Sequence, residues 1–253
     1  MSSLDNALDI LTLLSRQRPV LRVNDVSRSL KIPRSSVSRL LQAMMLKGLL
    51  ERDDNHCYQA GPLALELGNL YRNRFSAVDD ADRILVALID RFQFTGYVSS
   101  LRGAEIILLR VRQGSYPLRH VREIGTRLPV FETAMGIALL AGKPESECRA
   151  LYAAAGDYPG KSSWDDVAAK LDATKGRGLI VMESLLNPGI STIATEVRHH
   201  CLEDKICLAI AYPQNAVDDQ VEADIASALL EIRENSIPFK TTNSESEITV
   251  DDI

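Results

Sequence analysis

KIPRSSVSRLLQAMMLKG, residues 31–48, marks both ends of a helix within itself. Pro33 suits a first helical turn, where a missing N–H costs nothing, and Gly48 suits the left-handed residue that ends a helix. Val37, Leu40, Leu41, Met44 and Met45 recur at helical spacing on one side, while Ser35, Ser38, Arg39 and Gln42 fall on the other, with Arg34 and Ser36 at its edges. The polar side holds no carboxylate. Hydroxyls, guanidinium groups and free first-turn N–H groups all donate to phosphate, so this side suits a nucleic-acid backbone. Arg39 and Gln42 stand further along, where arginine pairs with guanine edges and glutamine with adenine edges. The candidate DNA contacts are Arg34, Ser35, Ser36, Ser38, Arg39 and Gln42.

The flanking residues agree. Val23 to Leu30 reads as a short helix with Val26 and Leu30 inward, and the turn Lys31-Ile32-Pro33 joins it to the next, giving a helix-turn-helix. Leu49 to Arg52 and His56 to Gln59, separated by the polar turn Asp53-Asp54-Asn55, read as a β-hairpin, which after a recognition helix is a wing. Residues 4–16 form a first helix that faces the core with either Leu4, Leu8, Leu11 and Leu14 or Ile10 and Leu13. Pro62 to Arg74 forms another, whose stripe of Leu63, Leu67, Leu70 and Tyr71 needs a partner.

Net charge is −5 overall, which taken alone disfavours a nucleic-acid partner. Residues 1–75, however, carry 11 Lys+Arg against 7 Asp+Glu, or +4, and the remainder carries −9. Positive charge therefore gathers on the half that suits phosphate.

From about Ser76 the pattern changes. Val78 to Phe94 is helical, and Tyr97 to Leu101, Glu105 to Val111 and Leu118 to Ile124 are strand-like. Thr133 to Ala141, Pro144 to Ala154 and Trp164 to Lys175 are helical. Leu179 to Glu183, Ser191 to Val197 and Ile206 to Tyr212 return to strands, and Gln220 to Asn235 closes with a helix. Two sets of strands flanked by helices predict an α+β domain with a mainly antiparallel sheet.

No apolar run approaches membrane-spanning length and the start is not that of a signal peptide, so a cytoplasmic protein without a membrane partner is expected. Cys57, Cys148, Cys201 and Cys207 lack CxxC spacing and are expected as reduced thiols. His199-His200-Cys201 is the one run that invites a metal, yet neighbours on a strand point to opposite faces, and no metal is expected. Residues 1–253 contain no G-x-S-x-G, HExxH, Walker or dinucleotide glycine motif, so neither an enzyme nor a cofactor is expected.

The run Asp5-Asn6-Ala7-Leu8-Asp9-Ile10-Leu11, then IPRSSVSRLLQAM, then YQAGP entering a leucine-rich helix, resembles the amino-terminal domain of the IclR family of bacterial transcriptional regulators. Gly125 to Val130, followed by Ala134-Met135-Gly136 and Ala138 to Ala141, resembles the effector domain of the same family, so the resemblance runs from about residue 4 to residue 235. It implies a winged helix-turn-helix at 1–61, a linker helix at 62–75 that helps form a homodimer, and a GAF-like effector and oligomerisation domain at 76–238, with 239–253 left as a disordered acidic tail. It further implies a repressor of a roughly palindromic double-stranded operator, controlled by a small-molecule effector, in dimers or dimers of dimers.

In relatives that bind small oxoacids, the carboxylate is held by N–H groups at a helix start, here Ala134 and Met135, and by polar side chains on facing strands. The position that usually carries Asp aligns with Met182, the Cys or Ser position with Thr192, and the two serines of the last strand with Ala209 and Ala211. Losing three polar anchors predicts an effector larger or more apolar than glyoxylate or pyruvate, such as an aromatic or cyclic acid, with Thr192, Thr133 or Glu183 to orient it. The competing expectation is a pocket filled by Met182 and Met135, leaving a ligand-independent DNA-binding and assembly protein. The wing also departs from the basic pattern of relatives, since it offers Arg52, His56 and Gln59 beside Asp53 and Asp54.

Overall fold

The structure, a computed structural model, describes residues 2–15, 18–73, 76–116, 121–185, 187–198 and 205–235. The chain divides between Phe75 and Ser76 into two compact units.

The first unit contains helices α1 (Ser3–Thr12), α2 (Val23–Leu30) and α3 (Arg34–Leu46), strands β1 (Leu50–Arg52) and β2 (Tyr58–Ala60), and helix α4 (Pro62–Asn73). Ser2 caps α1: its hydroxyl accepts the Asp5 N–H at 3.0 Å while Asp5 accepts the Ser2 N–H at 2.7 Å. The helix ends at Thr12, short of residue 16. Of its two possible inward stripes, the one through Ile10 is buried, whereas Leu4 and Leu8 are 67% and 53% exposed. Leu11, within the helix, and Leu13 and Leu14, just beyond its end, are partly buried against the core.

Lys31, with φ 55°, turns the chain between α2 and α3. Pro33 sits one residue earlier than expected, as the residue preceding the first turn of α3 rather than within it. The other end of α3 closes as a Schellman motif: the Gly48 N–H donates to Met45 and the Leu49 N–H to Met44, with Gly48 at φ 74°. Val37, Leu41 and Met44 enter a core completed by Ile10, Leu21, Val26, Ile32, Leu50 and Tyr58. β1 and β2 pair antiparallel with Glu51 opposite Gln59, and Leu21 bridges to Tyr58 as a third element of the wing. On α4, Leu65, Leu67 and Leu70 remain 66%, 50% and 65% exposed.

The second unit begins with α5 (Ser76–Phe92), β3 (Thr95–Arg102), β4 (Glu105–Gln113) and β5 (Arg127–Pro129). A 3-10 turn (Val130–Glu132) leads to α6 (Ala134–Leu140), α7 (Glu145–Ala154) and α8 (Trp164–Arg177). Strands β6 (Leu179–Glu183), β7 (Ile190–Val197) and β8 (Ile206–Pro213) precede α9 (Asp219–Asn235). The six strands form one antiparallel sheet in the order β5-β4-β3-β8-β7-β6. Helices α5 and α9 cover one face and α6, backed by α8, the other.

The strand expected at 118–124 is corrected: residues 121–124 are not a strand, and 117–120 lie outside the described residues. Gly125, at φ 85°, turns the chain there and donates its N–H to Leu108, so the partner that β4 receives is the later segment Arg127–Pro129. The tail expectation for 239–253 lies outside the described residues.

Candidate functional site

On α3, Arg34, Ser35, Ser38, Arg39 and Gln42 are exposed and Ser36 is half-buried. The buried residues Val37, Leu41 and Met44 fix the rotation of the helix, which leaves the polar side outward. Among the described residues, neither Arg34 nor Arg39 is held in an ion pair, and no side chain caps the first turn of α3. Two guanidinium groups, three hydroxyls, an amide and open first-turn N–H groups therefore share one convex surface, a donor array suited to phosphates and base edges.

The wing uses its acids internally. Asp53 accepts the Cys57 N–H on Oδ1 at 2.7 Å, and the Asp53 N–H donates to the Cys57 carbonyl at 2.9 Å. His56 turns the hairpin at φ 61°, and Gln59 donates to Glu51 at 2.7 Å. Arg52 lies over the Tyr58 ring, 5.5 Å from its centroid. Asp53 is thus a turn-forming residue, a role that sequence reading assigned to the polar turn as a whole.

In the second unit, strand register aligns Met182, Thr192, Ala211 and Thr95 as one row across β6, β7, β8 and β3. The next row holds Ile180, Ala194, Ala209 and Tyr97. Directly paired residues share a face, and Ala209, Ala211, Tyr97 and Met182 pack in the same cluster as Ala134 and Met135. A Cβ on Gly96 would meet Leu85 and Ile89 of α5, so Thr95 and Tyr97 face α6. The six expected effector residues are brought together on the α6 face: Ala134, Met135, Ala209 and Ala211 are buried, and Met182 and Thr192 are half-buried.

Thr95 was missed. It is fully buried, and its hydroxyl has no hydrogen-bond partner among the described residues. Its signal was the alternation Thr95, Tyr97, Ser99, which puts three hydroxyls on one face of a strand. The Tyr97 phenol is raised by burial, with the Arg122 backbone and charge acting in the opposite direction.

Ahead of α6, Thr133 caps the helix through the Gly136 N–H at 3.1 Å, so its hydroxyl is engaged there. Glu183 accepts the Gly189 N–H at 3.0 Å and is exposed. The buried Glu132 accepts from Tyr158 at 3.0 Å and from the Ser162 N–H and hydroxyl at 2.9 and 2.7 Å. Phe131, Tyr152 and Trp164 stack edge to face beside it. Among the described residues no group of His, Cys, Asp and Glu is placed to hold a metal, and no helix is long and apolar enough to cross a membrane. His199, His200 and Cys201 lie outside the described residues.

Residues 3–54 match the model of the IclR helix-turn-helix domain, and residues 71–235 that of the bacterial transcriptional regulator IclR C-terminal domain. The chain is 26% identical over 234 residues to the HTH-type transcriptional regulator XynR of Escherichia coli (strain K12), covering 90% of this chain and 93% of that protein. It shares its fold with a putative IclR transcriptional regulator from Silicibacter sp. TM1040, at a TM-score of 0.82 and 21% identity over 92% of this chain and 94% of the other. An IclR homolog from Microbacterium hydrocarbonoxydans, complexed with 4-hydroxybenzoate, has a TM-score of 0.73 and 19% identity over 92% and 98% of the two chains. With both of its units matched, the chain belongs to the IclR family and is a DNA-binding transcriptional regulator rather than an enzyme.

Proposed function

We propose that this regulator represses transcription in the cytoplasm by docking two copies of α3 in successive major grooves of a roughly palindromic operator. Arg34, Ser35, Ser36 and Ser38 contact phosphates, while Arg39 and Gln42 read bases. The observation that carries this reading is the exposed, carboxylate-free side of α3, whose two arginines make no ion pair among the described residues. Two copies require a homodimer. The exposed leucines of α1 and α4 (Leu4, Leu8, Leu65, Leu67 and Leu70) supply an apolar surface that a second copy would cover, and the effector domain is where dimers would pair into tetramers.

An effector larger or more apolar than glyoxylate or pyruvate occupies the α6 face of the sheet, against Ala134, Met135, Met182, Thr192, Ala209 and Ala211. Its wall offers methyl and thioether groups where an oxoacid site needs polar ones. The 4-hydroxybenzoate complex of an IclR homolog with the same fold makes a ring acid a reasonable first probe. The second reading, a ligand-independent regulator, draws on the burial of Ala134, Met135, Ala209 and Ala211 in a packed cluster.

A thermal-shift screen of the full chain against oxoacids and ring acids, followed by DNA titration with and without each hit, separates the two. A ring acid that raises Tm and changes DNA affinity supports effector control. Stabilisation by pyruvate or glyoxylate alone contradicts the proposed ligand size, and silence across the screen favours the filled pocket.

A further inference from the structure

We propose that the hydroxyl anchors of the effector site have moved one strand over, from β8 to β3, and that Thr95 and Thr192 together select a six-membered ring with oxygens at opposite ends. This rests on the effector-site reading above. The two β8 positions where the family resemblance implies serines are Ala211 and Ala209, and register places them directly opposite Thr95 and Tyr97. A hydroxyl therefore returns on the neighbouring strand at Thr95, on the same face, while the Tyr97 phenol meets the Arg122 backbone.

Thr95 adds an independent observation. Its side chain is fully buried and, like those of Ser99 and Ser100 further along β3, its hydroxyl oxygen has no hydrogen-bond partner among the described residues, whereas most buried polar groups in proteins are paired. Leaving a hydroxyl unsatisfied is costly, and valine fits a strand equally well, so a threonine here implies a group that meets it. Thr192 also makes no hydrogen bond through its side chain among the described residues. In the sheet, register places Ala211 between the two, with Ala194 and Ala209 in the adjoining row and Ala134 and Met135 of α6 in the same cluster.

The spacing sets the ligand. Thr95 and Thr192 lie two strands apart, about 9.6 Å at the usual spacing of about 4.8 Å. Two hydrogen bonds of about 2.8 Å, each rising from the sheet and leaning inward by about 2 Å, leave about 5–6 Å between the ligand's polar atoms. That is the span across a 1,4-substituted six-membered ring, and the alanines give its flat face an apolar floor. A small oxoacid is too short to reach both hydroxyls.

The test uses the full-length protein, with hydroquinone and phenol as probes and dissociation constants measured by ligand-observed NMR. Hydroquinone is expected to bind about tenfold more tightly than phenol. Thr95→Val and Thr192→Val should each bring hydroquinone down to the phenol level while changing phenol by less than about twofold, because phenol can use whichever hydroxyl remains. Thr95→Val should also leave the Tm of the free protein unchanged or higher, since it removes an unpaired polar atom. Equal binding of the two probes, a parallel loss of both in Thr95→Val, or a lowered Tm of the free variant would overturn the proposal. If hydroquinone depends on both threonines but no ring ligand alters DNA affinity, the anchors stand and effector control is what fails.

Discussion

The carboxylate of Glu132 accepts both the backbone N–H and the hydroxyl of Ser162, at 2.9 and 2.7 Å, across 30 residues of chain. One buried acid thereby ties the entrance of α6 to the loop before α8, and Tyr158 supplies a further donor to it. Replacing Glu132 with Ala leaves the Ser162 N–H, the Ser162 hydroxyl and the Tyr158 hydroxyl without their shared acceptor. The expected loss is about 2–3 kcal/mol, or a fall of about 5–10 °C in the Tm of the effector unit. Calorimetry of the full chain reads this directly, and a change below about 1 °C would show that the loop is held by other contacts.

Alkaline pH should weaken the same unit. Burial raises the Cys207 thiol above its ordinary 9.0, and burial followed by hydrogen bonding to a carboxylate raises Tyr158 and Tyr212 above 10.0. Above those ordinary values the unfolded chain has released protons that the folded chain still holds, so stability falls as pH rises from about 9. Urea midpoints at pH 8, 9, 10 and 11 should decrease in order; a flat series would contradict the burial assigned to these groups.

The wing separates charge from structure at Asp53. Asp53→Asn retains an oxygen for the Cys57 N–H and removes a negative charge from the DNA-facing unit, whereas Asp53→Ala removes the turn-forming bond. The first should tighten DNA binding about twofold to fivefold at low salt with little loss of stability, and the second should cost about 1 kcal/mol. Looser DNA binding by Asp53→Asn would mean that the wing acts through this carboxylate.

Exposed leucines on α4 provide a check on assembly. Placing glutamate at both Leu67 and Leu70 should shift sedimentation from dimer or larger to monomer while circular dichroism stays unchanged, since both side chains are at least half exposed. An undisturbed oligomer would locate the contact elsewhere.

Local patterns were legible and pairings at a distance were not. Val37, Leu41 and Met44 announce the buried side of α3 by spacing alone, and Gly48 announces its end. For α1, two stripes were open because leucines lie around the helix, and only packing settled on Ile10. β5 escaped notice because three residues ending in Pro129 carry no alternation of their own and depend on β4 for their identity. Thr95 escaped for a related reason: its relation to Ala211 exists only through antiparallel register across 116 positions of sequence.

The most direct measurement is the binding of Arg39→Ala and wild-type protein to an operator selected from random duplexes by the wild type, with fold monitored by circular dichroism. The side chain is exposed and makes no ion pair among the described residues, so the fold and Tm should be unchanged. Affinity for the selected sequence should fall by about 100-fold or more as two copies of a base contact are lost, while non-specific binding weakens far less. An unchanged footprint and affinity would contradict the assignment of α3 as the helix that reads the operator.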